Sequence, residues 1–294
     1  MINDFLYDGE TILPINDLMF KRIFWNKEHP NILISFINAV LKRKDPITSV
    51  ELISTEMDDE FIGEHGIRLD LIAKTSTDEL LNIEMQKKND DDMYKRSLYY
   101  WSKLYASQLK KGQKYSELHP VIAINIIDFT LFKDEQCHRN FVLKNAKTNE
   151  EWLRMLEIHF VELKKRQYMD QNDDLWAWAE FLKVPNSETL SEKKEEIQPI
   201  VDAKRIFDTA VADPKERDKM RLLEKTQRDN LSAINESELN RVKKEGLAEG
   251  ESKKAIETAK NLITMNLSVE QIAVATGLTV EEVKTLIDSN NRNS

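Results

Sequence analysis

The chain has 294 residues, enough for one large domain or two modest ones. Hydrophobic residues make up 40% and charged residues 32%, so a real core sits under a highly charged surface. With 43 Lys and Arg against 52 Asp and Glu, the net charge of -9 argues against coating nucleic acid by bulk charge, and leaves a local site open.

Cys137 is the single cysteine, which excludes an intramolecular disulfide and makes the cytoplasm the expected location. The opening MINDFLYDGETILPIND carries acids where a signal peptide needs a basic region. No apolar run approaches the roughly 18 residues a membrane span needs. The five histidines form no zinc-type spacing.

In chain order, residues 16–42 read as helical. Asn16 or Asp17 can cap a run with Leu18, Met19, Ile23 and Phe24 at helical spacing. Pro30 punctuates it, and Ile32, Leu33, Phe36, Ile37 and Val40 then mark a buried helix face. The period changes at 47–53, where β-branched residues follow Pro46. GIRLDLIAK (66–74) alternates cleanly, a polar segment follows at 75–78, and ELLNIEMQ (79–86) alternates again. Two such runs around a polar turn predict a hairpin.

The spacing predicts a helix over 93–110. Ser97, Leu98, Trp101, Leu104, Tyr105 and Gln108 share one face, with Arg96, Tyr100 and Lys103 on its neighbour. Gly112 suits its end. PVIAINIIDF (120–129) reads as a strand buried on both faces. MLEIHFVEL (155–163) predicts another strand, and LWAWAEFLK (175–183) a short helix with Trp176 in the core.

From about 190 the chain is charged and helical, which sets an expected boundary between residues 1–190 and 191–294. Gly246 and Gly250 are spaced for close helix approach or simply weaken a helix. Ile272, Ala273, Gly277 and Val283 fit a helix-turn-helix-like hairpin. Its second helix opens on Glu281 and Glu282, which repel phosphate, so packing or self-association fits better than DNA reading. Amphipathic faces over about 200–294, without an evident core of their own, predict a homodimer through this region.

The hairpin carries the chemistry. A turn centred on Thr77 sets Asp70 opposite Glu84 and Arg68 opposite Gln86. Opposed side chains stand about 4.5–5.5 Å apart at Cβ on one face, so two facing carboxylates repel. A divalent cation with oxygen ligands turns that repulsion into coordination. A plain solvated sheet face is the competing reading. A slip of one residue would send one acid to the other face.

The segment around Asp70, then NIEMQ (82–86), KRSLYYWSKLYASQLKKGQKY (95–115) and PVIAINIIDF (120–129), resembles the Rpn family of recombination-promoting nucleases, within the PD-(D/E)XK nuclease superfamily. NDLMFKRIF (16–24), EGLAEGE and LSVEQIAVATGLTVEEVKTL (267–286) extend the resemblance over nearly the whole chain. It implies an α/β fold: a mixed sheet in the order α-β-β-β-α-β, flanked by helices and followed by a mostly helical C-terminal region. It implies a DNA endonuclease using Mg²⁺, with Mn²⁺ or Ca²⁺ as alternatives. Asp70, Glu84 and the backbone carbonyl of Met85 would be the metal ligands. Gln86 stands where the superfamily usually has Lys; its amide can orient water or contact phosphate but supplies no cation. That departure also admits a catalytically weak fold serving as a DNA- or protein-binding transposition module. Asp17 is a further candidate acid, although a helix cap suits it better. Arg96, Tyr100 and Gln108 complete the candidates.

Overall fold

The computed structural model describes residues 12–53, 70–89, 92–193, 197–223, 225–226, 253–263, 265 and 267–291. Expectations for Ile67, Arg68, Leu69, Gly246 and Gly250 fall outside these residues. Among the described residues, no helix is long and apolar enough to cross a membrane.

Among the described residues, two helices come first, α1 (Asp17–Phe24) and α2 (Pro30–Leu41). Asn16, not Asp17, caps α1: its side chain accepts from the main-chain N–H groups of Leu18 and Met19 at 3.1 and 3.2 Å. Asp17 is thereby the first helical residue, and its carboxylate is left for other partners. Pro30 opens α2, where its missing N–H is no loss, and Lys42 ends it in the left-handed conformation.

The strands are β1 (Val50–Ile53), β2 (Leu71–Thr75), β3 (Leu80–Gln86), β4 (Val121–Ile127), β5 (His138–Val142) and β6 (Leu156–Glu162). Helix α3 (Met93–Ala106) joins β3 to β4. The described strands form one sheet in the order β1-β2-β3-β4-β6-β5. The β1-β2-β3 ribbon is antiparallel, β3, β4 and β6 run parallel, and β5 returns antiparallel at an edge. This is the predicted mixed sheet. All seven residues of β4 are buried, as its unbroken apolar run requires.

Helices α4 (Asp174–Lys183), the short α5 (Glu188–Lys193) and α6 (Gln198–Ala212) follow the sheet. On one face of the sheet, α1 and α2 pack with α4 and α6. Phe24 anchors this core, with ring centroids 4.7 Å from Phe20, 5.2 Å from Phe36 and 5.6 Å from Trp178. Each such side chain contributes about 1.5–3 kcal/mol by leaving water. On the other face, α3 lays Met93, Ser97 and Leu104 against the sheet. Its Trp101 indole donates to the Val121 carbonyl at 2.8 Å.

Helix α3 stops four residues short of the predicted end. The Gln108 side chain bonds the main chain of His119 instead of continuing the helical pattern. Gly112, at φ 95, belongs to the turn beyond, where Gln113 N–H meets the Lys110 carbonyl at 3.1 Å.

The first compact unit runs from Met1 to Leu222. The sequence-based boundary at 190 falls inside it, because α6 buries Ile200, Ala203 and Phe207 in the main core. The second unit, Leu223–Ser294, has a small core of its own: Ala259, Ile272 and Val283, ringed by Leu262, Leu278 and Leu286. That removes the premise on which a homodimer was expected. Two helices here, α7 (Val269–Thr276) and α8 (Val280–Asn291), form the predicted hairpin, turning at Gly277 with φ 74. Ser268 and Gln271 cap α7 reciprocally. Glu282 accepts from Thr279 N–H at 2.8 Å, so one of the two acids at the start of α8 serves as a cap.

Candidate active site

The hairpin pairing runs from Leu71 opposite Ile83 to Lys74 opposite Leu80. Extended by one residue, it sets Asp70 opposite Glu84, the register expected of a turn centred on Thr77. Thr75 fixes that turn. Its hydroxyl accepts from the N–H groups of Glu79 and Thr77, and Asp78 takes the left-handed conformation at φ 62. A register pinned this way does not slip. Ile83 and Met85 point into the main core, so Glu84 and Gln86 lie on the face toward α3.

Asp70 N–H donates to Glu84 Oε1 at 3.3 Å, and Met85 N–H donates to Asp70 Oδ2 at 2.9 Å. Glu84 is only 1% exposed, and its Oε2 is buried with no hydrogen-bond partner. Burial first, then the adjacent Asp70, pushes the Glu84 carboxyl up to about 8, against the pull of Arg96. Asp70 is raised too, chiefly by burial; the Met85 N–H and Lys21 oppose this and Asp17 reinforces it. Lys21 lies between two acids, with Nζ 3.5 Å from Asp70 Oδ1 and 3.5 Å from Asp17 Oδ1.

Helix α3 brings Arg96 and Tyr100 to the same region. The Arg96 guanidinium lies over the Tyr100 ring, 5.2 Å from its centroid, and Arg96 Nε is buried without a hydrogen-bond partner. Burial raises the Tyr100 hydroxyl, with Arg96 opposing and Glu84 adding to the rise. The helix is held in place by Asn125, whose amide donates to Ser97 Oγ at 2.8 Å and to the His159 carbonyl at 3.0 Å. Gln86 ends β3 half-buried, and its carbonyl accepts from Asp128 N–H at 2.9 Å.

Asp70, Glu84, Gln86, Asp17, Arg96 and Tyr100 are thus gathered around the ends of β2 and β3. Gln108 is not. Its amide donates to the His119 carbonyl at 3.0 Å and accepts from the His119 N–H at 2.9 Å, which pins the connection into β4. Sequence reasoning missed Lys21, whose signal was its place four residues after Asp17 on one helix face. It also missed buried Asn82, which favours the charged form of Glu84.

A buried carboxylate with an unpartnered oxygen, beside a partly buried one, fits a hard divalent ion that takes oxygen ligands. Among the described residues, no group of three or more His, Cys, Asp or Glu converges as a metal site.

A second polar chain joins His138 to His159 (3.0 Å), His159 to Glu157 (3.3 Å) and Glu157 to Arg43 (3.0 Å). Burial holds the His138 imidazole down at about 4. Arg43 also grips both oxygens of Glu79, so its charge is taken up in tying α2 to the sheet.

A family model described as PD-(D/E)XK nuclease family transposase matches residues 14–237. Searches among curated proteins and among solved structures give no match.

Proposed function

The chain belongs to the PD-(D/E)XK nuclease family transposases, and on that premise we propose that it is a metal-dependent endonuclease that hydrolyses phosphodiester bonds in DNA. The observation that carries this reading is the Glu84 carboxylate, buried beside Asp70 with Oε2 lacking any partner. Folding tolerates such a group only where something else compensates it.

Asp70, Glu84 and the Met85 carbonyl are the groups that would hold Mg²⁺, or Mn²⁺ or Ca²⁺ in its place. When bound, the ion supplies Lewis acidity toward the scissile phosphate. The protein's own part is positional and electrostatic. The Met85 N–H and Lys21 orient Asp70. The Gln86 amide would donate to water or to a phosphate oxygen. Arg96 would supply the positive charge that Gln86 cannot, to offset charge that accumulates on phosphate. Burial favours a proton on Glu84 in the metal-free protein, and binding an ion would release it.

The test uses the purified chain with Mg²⁺, Mn²⁺ or Ca²⁺ and labelled DNA, beside Asp70→Asn and Glu84→Gln. Cleavage by wild type that drops about a hundredfold or more in both variants supports the reading. Equal cleavage by all three overturns it. A second reading rests on Gln86: a family fold without catalysis that acts as a DNA- or protein-binding transposition module. DNA binding by a wild-type chain that never cuts would favour that module.

A further inference from the structure

We propose that the outer face of α3, with the turn that follows it, binds a single-stranded stretch of nucleic acid and leads it to the Asp70–Glu84 site. This deepens the nuclease reading and rests on it for the place where the strand is cut. The chain carries a net charge of -9, yet residues 93–116 contain six cations and no acid. They are Lys95, Arg96, Lys103, Lys110, Lys111 and Lys114. Arg96 is partly buried and acts on Glu84; the five lysines are exposed. Lys95 pairs with Asp92 at 2.8 Å, while Lys103 lies over the Tyr99 ring, 5.6 Å from its centroid.

Charge alone would suit any polyanion. The rings narrow the choice. Tyr99 is 39% exposed on α3 and Tyr115 is 86% exposed in the turn beyond. Leu98, 50% exposed, adds an apolar edge beside Tyr99. Lysines interleaved with exposed aromatic rings are what a single strand uses, because each unpaired base offers a π-face to stack. A duplex hides those faces and would use the lysines only. The strip adjoins the candidate site along the helix, since Lys95 and Tyr99 each precede a residue, Arg96 or Tyr100, that interacts with Glu84.

The experiment uses the full chain in chelator, so that no cutting occurs. Fluorescence anisotropy follows a labelled single-stranded oligonucleotide, and the same sequence as duplex, over a range of salt. The Lys95→Gln/Lys103→Gln double variant should bind the single strand at least tenfold more weakly. Its salt slope should fall by about 1.4, roughly 0.7 for each phosphate that is no longer neutralised. Tyr99→Ala should lose at least about fivefold on the single strand, the lower end of one base stack, and little on the duplex. Lys144→Gln, an exposed lysine near β5, should bind as wild type. Circular dichroism of each variant shows that the fold is intact.

Preference for duplex with no effect of Tyr99→Ala overturns the proposal, as does an equal loss in Lys144→Gln. The two readings fail separately. Wild type that cuts, with strip variants that bind and cut equally well, removes the strip and keeps the nuclease. Strip variants that lose binding in a chain that never cuts keep the strip and remove the nuclease.

Discussion

Asp70 and Glu84 are joined through each other's strands: Asp70 N–H donates to Glu84 Oε1 at 3.3 Å, and the N–H just after Glu84, that of Met85, donates to Asp70 Oδ2 at 2.9 Å. The clasp fixes two carboxyl groups close together, Glu84 buried and Asp70 partly so, and repulsion sets in when both ionise. That arrangement is unfavourable in the metal-free protein, and its consequences are measurable as stability.

The first consequence is a pH dependence. The unfolded chain loses the Glu84 proton near the ordinary value of about 4.3, whereas the folded chain keeps it to about 8. Between those values the native state binds more protons than the unfolded state. Metal-free stability therefore declines as pH rises through this window and levels off above it. Glu84→Gln removes the titration. It should match wild type near pH 4 and exceed it by on the order of 1–4 kcal/mol near pH 9. Urea unfolding at pH 4, 6 and 9 measures the difference. A gap that does not widen with pH would show that Glu84 titrates as an ordinary surface acid.

Lys21 gives a prediction with opposite signs for two observables. Its ammonium lies 3.5 Å from both Asp17 and Asp70 and offsets their charge in the metal-free state. Lys21→Met should lower metal-free stability at neutral pH by about 1 kcal/mol, as for a partly buried ion pair. The same change removes a competitor for Asp70, so Mn²⁺ should bind more tightly. Thermal melts with and without Mn²⁺ read both. Weaker Mn²⁺ binding would instead make Lys21 a support for the ligand set.

Arg96 is tested by charge and by shape. Arg96→Ala should lower kcat by about a hundredfold, within the range for losing one group that stabilises a developing anion. It should also move the alkaline rise of the pH–rate profile upward, because Arg96 favours ionised Glu84. Arg96→Lys should restore part of the rate. A change in KM alone, with kcat intact, would restrict Arg96 to ground-state binding.

The hairpin was legible because period-two alternation and a Thr-rich turn determine register together, and four observed pairs follow the expected one. The α7–α8 hairpin was legible for a similar reason, since caps and Gly277 are local signals. What escaped depends on distant partners. Asn16 took the cap that suited Asp17, because both residue types cap and only the fold decides between them. Strand β5 was invisible: HRNFV at a sheet edge has no face wholly buried and no alternation to show. Helix α6 reads as part of a charged tail until Ile200, Ala203 and Phe207 are seen to share one buried stripe.

Gln108 separates a structural amide from a functional one. Sequence spacing put it on the buried face of α3, in line with Ser97 and Trp101, so it qualified as a site residue. Its amide is instead committed to both main-chain groups of His119, just before β4 begins. Gln108→Ala would leave that N–H and C=O to find water or other partners, at about 1–3 kcal/mol if they stay buried. His119 is half-buried, so the lower part of that range is expected. Gln108 also sits about three helical turns beyond Arg96, too far for the change to alter the charge around Glu84. The variant should therefore melt several degrees lower, while kcat per folded molecule stays within twofold of wild type. Thermal melts and single-turnover cleavage on the same preparation decide it. A tenfold loss of kcat with an unchanged Tm would place Gln108 among the groups that meet substrate, and would mean that the clasp on His119 opens when DNA binds.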